Sequence, residues 1–128
     1  MARRTLRAAL GSRDKLILIS ASTTVTLPTT SSSGVQMLGD RPHYNRWLCK
    51  IRSTDGTTSS AVVAPKLYGW DGVSWYLVKA LNSAGNVTVA AQQYCEVVDN
   101  LGLFERVAFG ATSAGAAIDV ELVPVLES

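Results

Sequence analysis

The chain has 128 residues, with 12 basic and 10 acidic side chains and a formal net charge of +2. This length suits one domain with a single core of ordinary size, and the charged fraction of 17% is low against the roughly 25% of average soluble domains. No stretch reaches the roughly 20 apolar residues of a membrane-spanning helix, so a soluble chain without a membrane partner is expected.

Charge is uneven along the chain. Residues 1–15 carry Arg3, Arg4, Arg7, Arg13 and Lys15 against Asp14, a net of +4, and the remainder carries 7 basic and 9 acidic residues, a net of −2. This asymmetry divides the chain into a basic N-terminal arm over 1–15 and a body over 16–128. The arm has no aromatic to stack on bases and no groove-reading motif, so specific nucleic-acid recognition is not expected. It reads instead as a solvated segment, or a short helix from Arg4 to Leu10, that contacts a neighbouring subunit. Leu6 and Ala8 to Leu10 are followed by Arg13, Asp14 and Lys15, and Leu16 to Ile19 is too short for the ~7–15-residue apolar part of a secretion signal. A mature chain that starts at or near residue 1 and folds in the cytosol where it is made is the expectation.

Leu16 to Ile19 and Thr23 to Leu27 are short β-favouring runs, and Pro28 to Gly34 is a polar loop. Asp40 to His43 forms a turn into Tyr44 to Arg52, where Trp47, Cys49 and Ile51 alternate with Leu48, Lys50 and Arg52. That period of two marks a half-buried strand with Trp47 in the core. After a turn at Thr54 to Thr57 and a strand at Ser60 to Ala64 comes an aromatic hairpin folded around Asp71-Gly72, whose turn residues are both expected at positive φ. A two-residue loop places Trp70 opposite Val73, Tyr68 opposite Trp75 and Leu67 opposite Tyr76. Tyr68, Trp70, Val73, Trp75 and Leu77 then share one face, and Leu67, Gly69, Ser74, Tyr76 and Val78 the other. Both faces are apolar, as expected of a hairpin covered by the core on one side and by a partner subunit on the other.

Asn82 to Asn86 and Asp99 to Gly102 are turns. Strands follow at Val87 to Ala91, Tyr94 to Val98, Phe104 to Gly110 and, beyond a small-residue loop at Ala111 to Gly115, Ala117 to Val125. In the last of these Ile118, Val120 and Leu122 point one way, and Asp119 and Glu121 the other. The pattern predicts an all-β fold, an antiparallel jelly-roll-like β-sandwich of about eight short strands.

Little in the chain suggests chemistry. His43 is the only histidine and sits in a turn, which leaves no multi-histidine metal site. Cys49 and Cys95 lie in separate strands outside any CxxC and read as buried free thiols, so neither structural zinc nor any cofactor is expected. Asp55 and Asp71 each precede Gly, where turn geometry accounts for them, and the remaining carboxylates are scattered. No phosphate-binding or dinucleotide motif occurs. A non-enzymatic role is the expectation. A carbohydrate-binding platform built on Trp70, Trp75 and Tyr68 is the alternative from another class.

The segment Tyr68-Gly69-Trp70-Asp71-Gly72-Val73-Ser74-Trp75-Tyr76-Leu77-Val78-Lys79 resembles the hairpins of small β-sandwich virion proteins of tailed bacteriophages, of the capsid decoration (cement) or head-spike type. Glu105 to Val125, with its small-residue loop before an Ile-x-Val-x-Leu strand, is similar to the closing hairpin of such proteins, and the polar N-terminal arm is the third shared feature. The resemblance covers roughly residues 60 to 126. It implies a structural protein on the capsid surface of the virion, bound to the major capsid protein and to itself as a homo-oligomer, commonly a trimer. Arg3, Arg4, Arg7 and Arg13 are then the capsid-contact arm, and Tyr68, Trp70, Trp75 and Tyr76 the oligomer interface or aromatic patch. A head–tail connector or tail component fits the same features.

Overall fold

The computed structural model describes residues 6–8, 15–37 and 44–127. Arg3, Arg4, Arg13, Asp40 and His43 lie outside the described residues, as does the side chain of Arg7. The twelve strands among the described residues are β1 (Leu6–Ala8), β2 (Leu16–Ser22), β3 (Val35–Gln36), β4 (Trp47–Ser53), β5 (Ser60–Val63), β6 (Lys66–Trp70), β7 (Trp75–Ala80), β8 (Val87–Val89), β9 (Tyr94–Val98), β10 (Arg106–Gly110), β11 (Ser113–Ala114) and β12 (Ile118–Glu127). The fold is all-β and every pairing is antiparallel. Three sheets result. One runs β1-β12-β4-β9 with β2 also on β12, one runs β3-β10-β6-β7, and the smallest runs β11-β5-β8.

The core follows from the period-two strands. On β4, Trp47, Cys49, Ile51 and Ser53 are buried, and on β12 Ile118, Val120 and Leu122 are fully buried. The register Ile118↔Ser53 to Pro124↔Trp47 sets these side chains side by side, because a strand sends alternate residues to opposite faces. Leu67 of β6, Val107 and Phe109 of β10, Val62 of β5 and Val87 and Val89 of β8 close the same cluster from the other sheets. Each such side chain contributes roughly 1.5–3 kcal/mol on leaving water. The indole of Trp47 donates from Nε1 to the carbonyl of Tyr44 at 2.9 Å, so its one polar group is satisfied.

Four expectations from the sequence are corrected. Twelve strands replace about eight, because β1, β3 and β11 are two or three residues long and exist only through long-range pairing. Where the expected helix over Arg4 to Leu10 is described, at Leu6, Arg7 and Ala8, the chain is a strand paired with Glu127, Leu126 and Val125, since the open edge of β12 offers a ladder that a short isolated helix cannot match. Thr23 to Leu27 is not a strand; Val25 is buried and its carbonyl accepts from the Ala111 amide at 2.9 Å, anchoring a strap over residues 23–34. Finally, β10 and β12 do not form a closing hairpin, because they belong to different sheets. The small-residue loop between them is held on β5 by Thr112 N–H to Val63 O, Gly115 N–H to Ala61 O and Ala116 N–H to Ser60 Oγ.

Candidate functional site

The aromatic hairpin is formed by β6 and β7, but its register differs from the expected one. Trp70 pairs with Trp75, Gly69 with Tyr76 and Tyr68 with Leu77, and Val78 is an extra residue before Leu67 meets Lys79. The turn is therefore centred on Gly72-Val73, with Gly72 alone at positive φ (101°), a conformation that glycine adopts without steric cost. Asp71 is not a turn centre because its carboxylate works as an acceptor. Oδ1 takes the amides of Val73 and Ser74, each at 2.8 Å, and these bonds hold the Asp71 carboxyl below its usual range. A slip of two residues preserves the faces, so Tyr68, Trp70, Trp75 and Leu77 still share one side.

The opposite side faces the core. Leu67 is fully buried, and Gly69 lies under the Phe104 ring so closely that a Cβ there would sit 2.3 Å from the ring. Tyr76 projects from this side beyond Gly69, and it is half exposed. Of the four residues expected in the patch, the structure thus brings Tyr68, Trp70 and Trp75 together and sends Tyr76 to the other face.

On the outer side the Trp70 and Trp75 rings lie 5.5 Å apart, tilted by 53°. Two indoles at that angle do not make the single flat platform that a stacked sugar ring needs. Trp75 is also occupied, because its Nε1 donates to the Thr30 carbonyl at 2.8 Å. Arg106, which pairs with Trp70 across the sheet, donates to the carbonyls of Ser33 at 2.8 Å, Gly34 at 3.0 Å and Ser32 at 3.3 Å. Trp75 and Arg106 together fasten the 30–34 strap along the aromatic face. Sequence reading missed Arg106; its signal was a lone cation opening the apolar run Val107, Ala108 and Phe109.

A charged seam joins β7 to β9. Lys79 Nζ lies 2.7 Å from Glu96 Oε2, the Asn82 amide donates to Glu96 Oε1 at 2.8 Å, and the Tyr94 hydroxyl bonds the same oxygen. Burial alone would raise the Glu96 carboxyl, but the donors from Lys79, Tyr94 and Asn82 outweigh it and hold the group below its usual range. Burial first, and the carboxylate second, push Tyr94 up to about 12. A carboxyl whose pKa is lower in the folded chain adds stability above its unfolded pKa and loses it as pH falls through the folded value. Glu96, Asp55 and Asp71 all shift in this direction. Stability is therefore expected to be flat near neutrality and to fall below about pH 4. Glu96→Gln is expected to cost about 1–2 kcal/mol at pH 7 and to flatten part of the acid limb in urea melts recorded across pH. An unchanged pH profile would remove the seam from the account.

The outer face of the β12–β4 pair carries balanced ions. Lys50 meets Glu121 at 3.2 Å, Arg52 meets Asp119 at 3.1 Å, and Lys15 stands 4.0 Å from Glu121. With Gln93 they line a shallow groove of about 190 Å³. Exposed cross-strand pairs of this kind contribute about 0–1 kcal/mol.

The cysteines divide. Cys49 is buried, as expected, and burial pushes its thiol up. Cys95 is exposed, against expectation, because it stands opposite Lys50 on the wet side of the sheet. One thiol per native chain is expected to react with a disulfide reagent within minutes, and the second only on unfolding. Protection of both would contradict the β4–β9 register.

The described residues contain no group of three or more His, Cys, Asp or Glu side chains placed to hold a metal, and no helix among them is long and apolar enough to cross a membrane. No family model, no curated protein and no solved structure matches this chain.

Proposed function

We propose that the chain is a non-enzymatic structural protein of a tailed-phage virion, one that decorates or cements the capsid shell as a homo-oligomer. Its body is a jelly-roll-like β-sandwich, with the two larger sheets as layers and the smallest closing one end. The observation that carries this reading is the apolar exposure around the aromatic hairpin. Val73 is 79% exposed, Leu77 55% and Tyr76 51%, and Leu103, beside the Phe104 ring that covers Gly69, is 75% exposed. Apolar side chains this exposed on and beside one hairpin of a small domain mark a surface that meets another protein. The resemblance of the Tyr68 to Lys79 segment to virion hairpins points the same way.

The mechanism is area burial. A subunit seated across capsomer boundaries binds the assembled shell and not its separated parts, so it stabilises the shell by mass action. The cationic side chains Arg3, Arg4, Arg7 and Arg13 would pair with capsid carboxylates through charge-assisted hydrogen bonds. Replacing these four by Gln keeps the length and backbone of β1 while removing the charge. Co-sedimentation with capsid shells is expected to fall by at least about tenfold, which corresponds to 1.4 kcal/mol or more, with the β fold intact. Unchanged binding would refute the arm as the capsid contact.

A further inference from the structure

The hydrogen-bonding sense of the β6–β7 hairpin fixes which backbone groups of β7 face outward. The Glu105 amide donates to the Trp70 carbonyl at 2.8 Å and the Asp71 amide to the Ser74 carbonyl at 3.2 Å. Trp70 therefore turns its peptide groups toward β10, and Gly69 turns its own toward Tyr76. By alternation, the N–H and C=O of both Trp75 and Leu77 point away from β6. No strand among the described residues pairs with that side of β7. Proteins usually blunt such an edge with charge or a bulge. Here both devices lie beyond Leu77: Val78 is the bulge, and Lys79 is turned to Glu96 and to the Val97 carbonyl of β9. The run Val73 to Val78 holds no charge, and Leu77 and Tyr76 are half exposed.

We propose that two copies of this chain join edge to edge through β7, antiparallel, about a two-fold axis at Tyr76. This rests on the homo-oligomer part of the function proposed above and specifies its interface. With Tyr76 on the axis, Trp75 of one copy stands opposite Leu77 of the second copy, and Leu77 opposite Trp75. The outward groups of both residues then exchange four hydrogen bonds. The pattern is self-complementary because those residues stand two apart, one either side of the axis, as an isologous contact demands. Trp75 and Leu77 are on one face, so each cross-strand pair sets an indole against an aliphatic side chain. The two Tyr76 side chains meet on the other face. No like charges are brought together. Three paired residues with Val73 alongside bury less than the roughly 800 Å² per partner of a standard interface, so the association is expected to be reversible, with half-dissociation in the micromolar range. A two-fold contact also gives an even number of copies, in place of the trimer that the family resemblance implies.

The test is a cross-link and a mass. In a Cys95→Ser background, Tyr76→Cys places two thiols at a close non-hydrogen-bonded pair, with Cα atoms about 4.5 Å apart, and mild oxidation is expected to yield a disulfide dimer. Lys79→Cys in the same background is expected to remain uncross-linked. Leu77→Pro removes only an outward N–H, which edge strands tolerate. It is expected to weaken self-association, read by sedimentation equilibrium, by more than about tenfold relative to Leu77→Ala, with an unchanged far-ultraviolet spectrum. If Leu77→Pro does not fold, the cross-link of the Tyr76→Cys variant decides alone. Absence of that cross-link, or a mass of three copies, overturns the two-fold at Tyr76 and leaves the homo-oligomer reading standing. A monomer at hundreds of micromolar overturns both.

Discussion

Trp47→Ala is expected to destabilise the fold by about 3–5 kcal/mol. Trp47 is 2% exposed and lies between Pro124 of β12 and Val98 of β9 across the sheet. The Tyr44 ring packs edge-on against it at 5.7 Å. Removing the indole opens a cavity where two strands and the segment entering β4 converge, and a rigid sheet cannot collapse to fill it. Small domains are stable by only about 5–15 kcal/mol, so the variant should sit near the edge of folding. Its thermal midpoint is expected to drop by about 10–20 °C. Trp47→Phe retains most of the packing and loses the bond to the Tyr44 carbonyl, at about 1–2 kcal/mol. An alanine variant within about 1 kcal/mol of the parent would contradict the placement of this strand.

The second large effect is expected at Gly34. Its φ is +71°, and a Cβ there would meet the Val107 carbonyl oxygen at 2.3 Å and the Ala108 Cβ at 3.0 Å. Neither neighbour can yield readily, because both belong to β10, which is paired with β6. Gly34→Ala therefore combines left-handed backbone strain of about 1–2 kcal/mol with overpacking of about 1–3 kcal/mol. The strap should lift from the aromatic face, releasing Arg106 and Trp75, and tryptophan fluorescence should shift to the red. Gly56→Ala is the control. Gly56 has nearly the same φ, +72°, but nothing within 4 Å of its would-be Cβ, so its expected cost is strain alone, about 1–2 kcal/mol. Equal effects at the two glycines would mean that the strap does not lie against β10.

These two residues also show what the sequence made legible. Trp47 stands in a strand of strict alternation, and so do Ile118, Val120 and Leu122, whose buried faces were readable from the pattern alone. The hairpin was readable as a pair of strands but not in register, because Asp71 satisfies the amides of Val73 and Ser74 instead of taking a left-handed turn position. The strap was not readable at all. Thr23 to Leu27 has the composition of a strand, and what keeps it out of a ladder is three-dimensional: the Val25–Ala111 bond, the close approach of Gly34 to β10, and the carbonyls held by Arg106. Cys95 shows the same limit. Its exposure follows from facing Lys50, and a pairing partner is not written in the local sequence. Of the candidate site, Tyr68, Trp70 and Trp75 were found by composition. The free edge of β7 became visible only once the sheet order and the direction of its hydrogen bonds were known.

The central claim is that this chain works by covering a shell. If the proposed function holds, electron microscopy of tailed-phage particles carrying the chain, marked by a specific antibody fragment, tests that claim most directly. The account predicts label at many symmetry-related positions over the capsid surface. Label confined to one vertex would assign the chain to a connector or tail instead, and particles without label would contradict a virion role altogether.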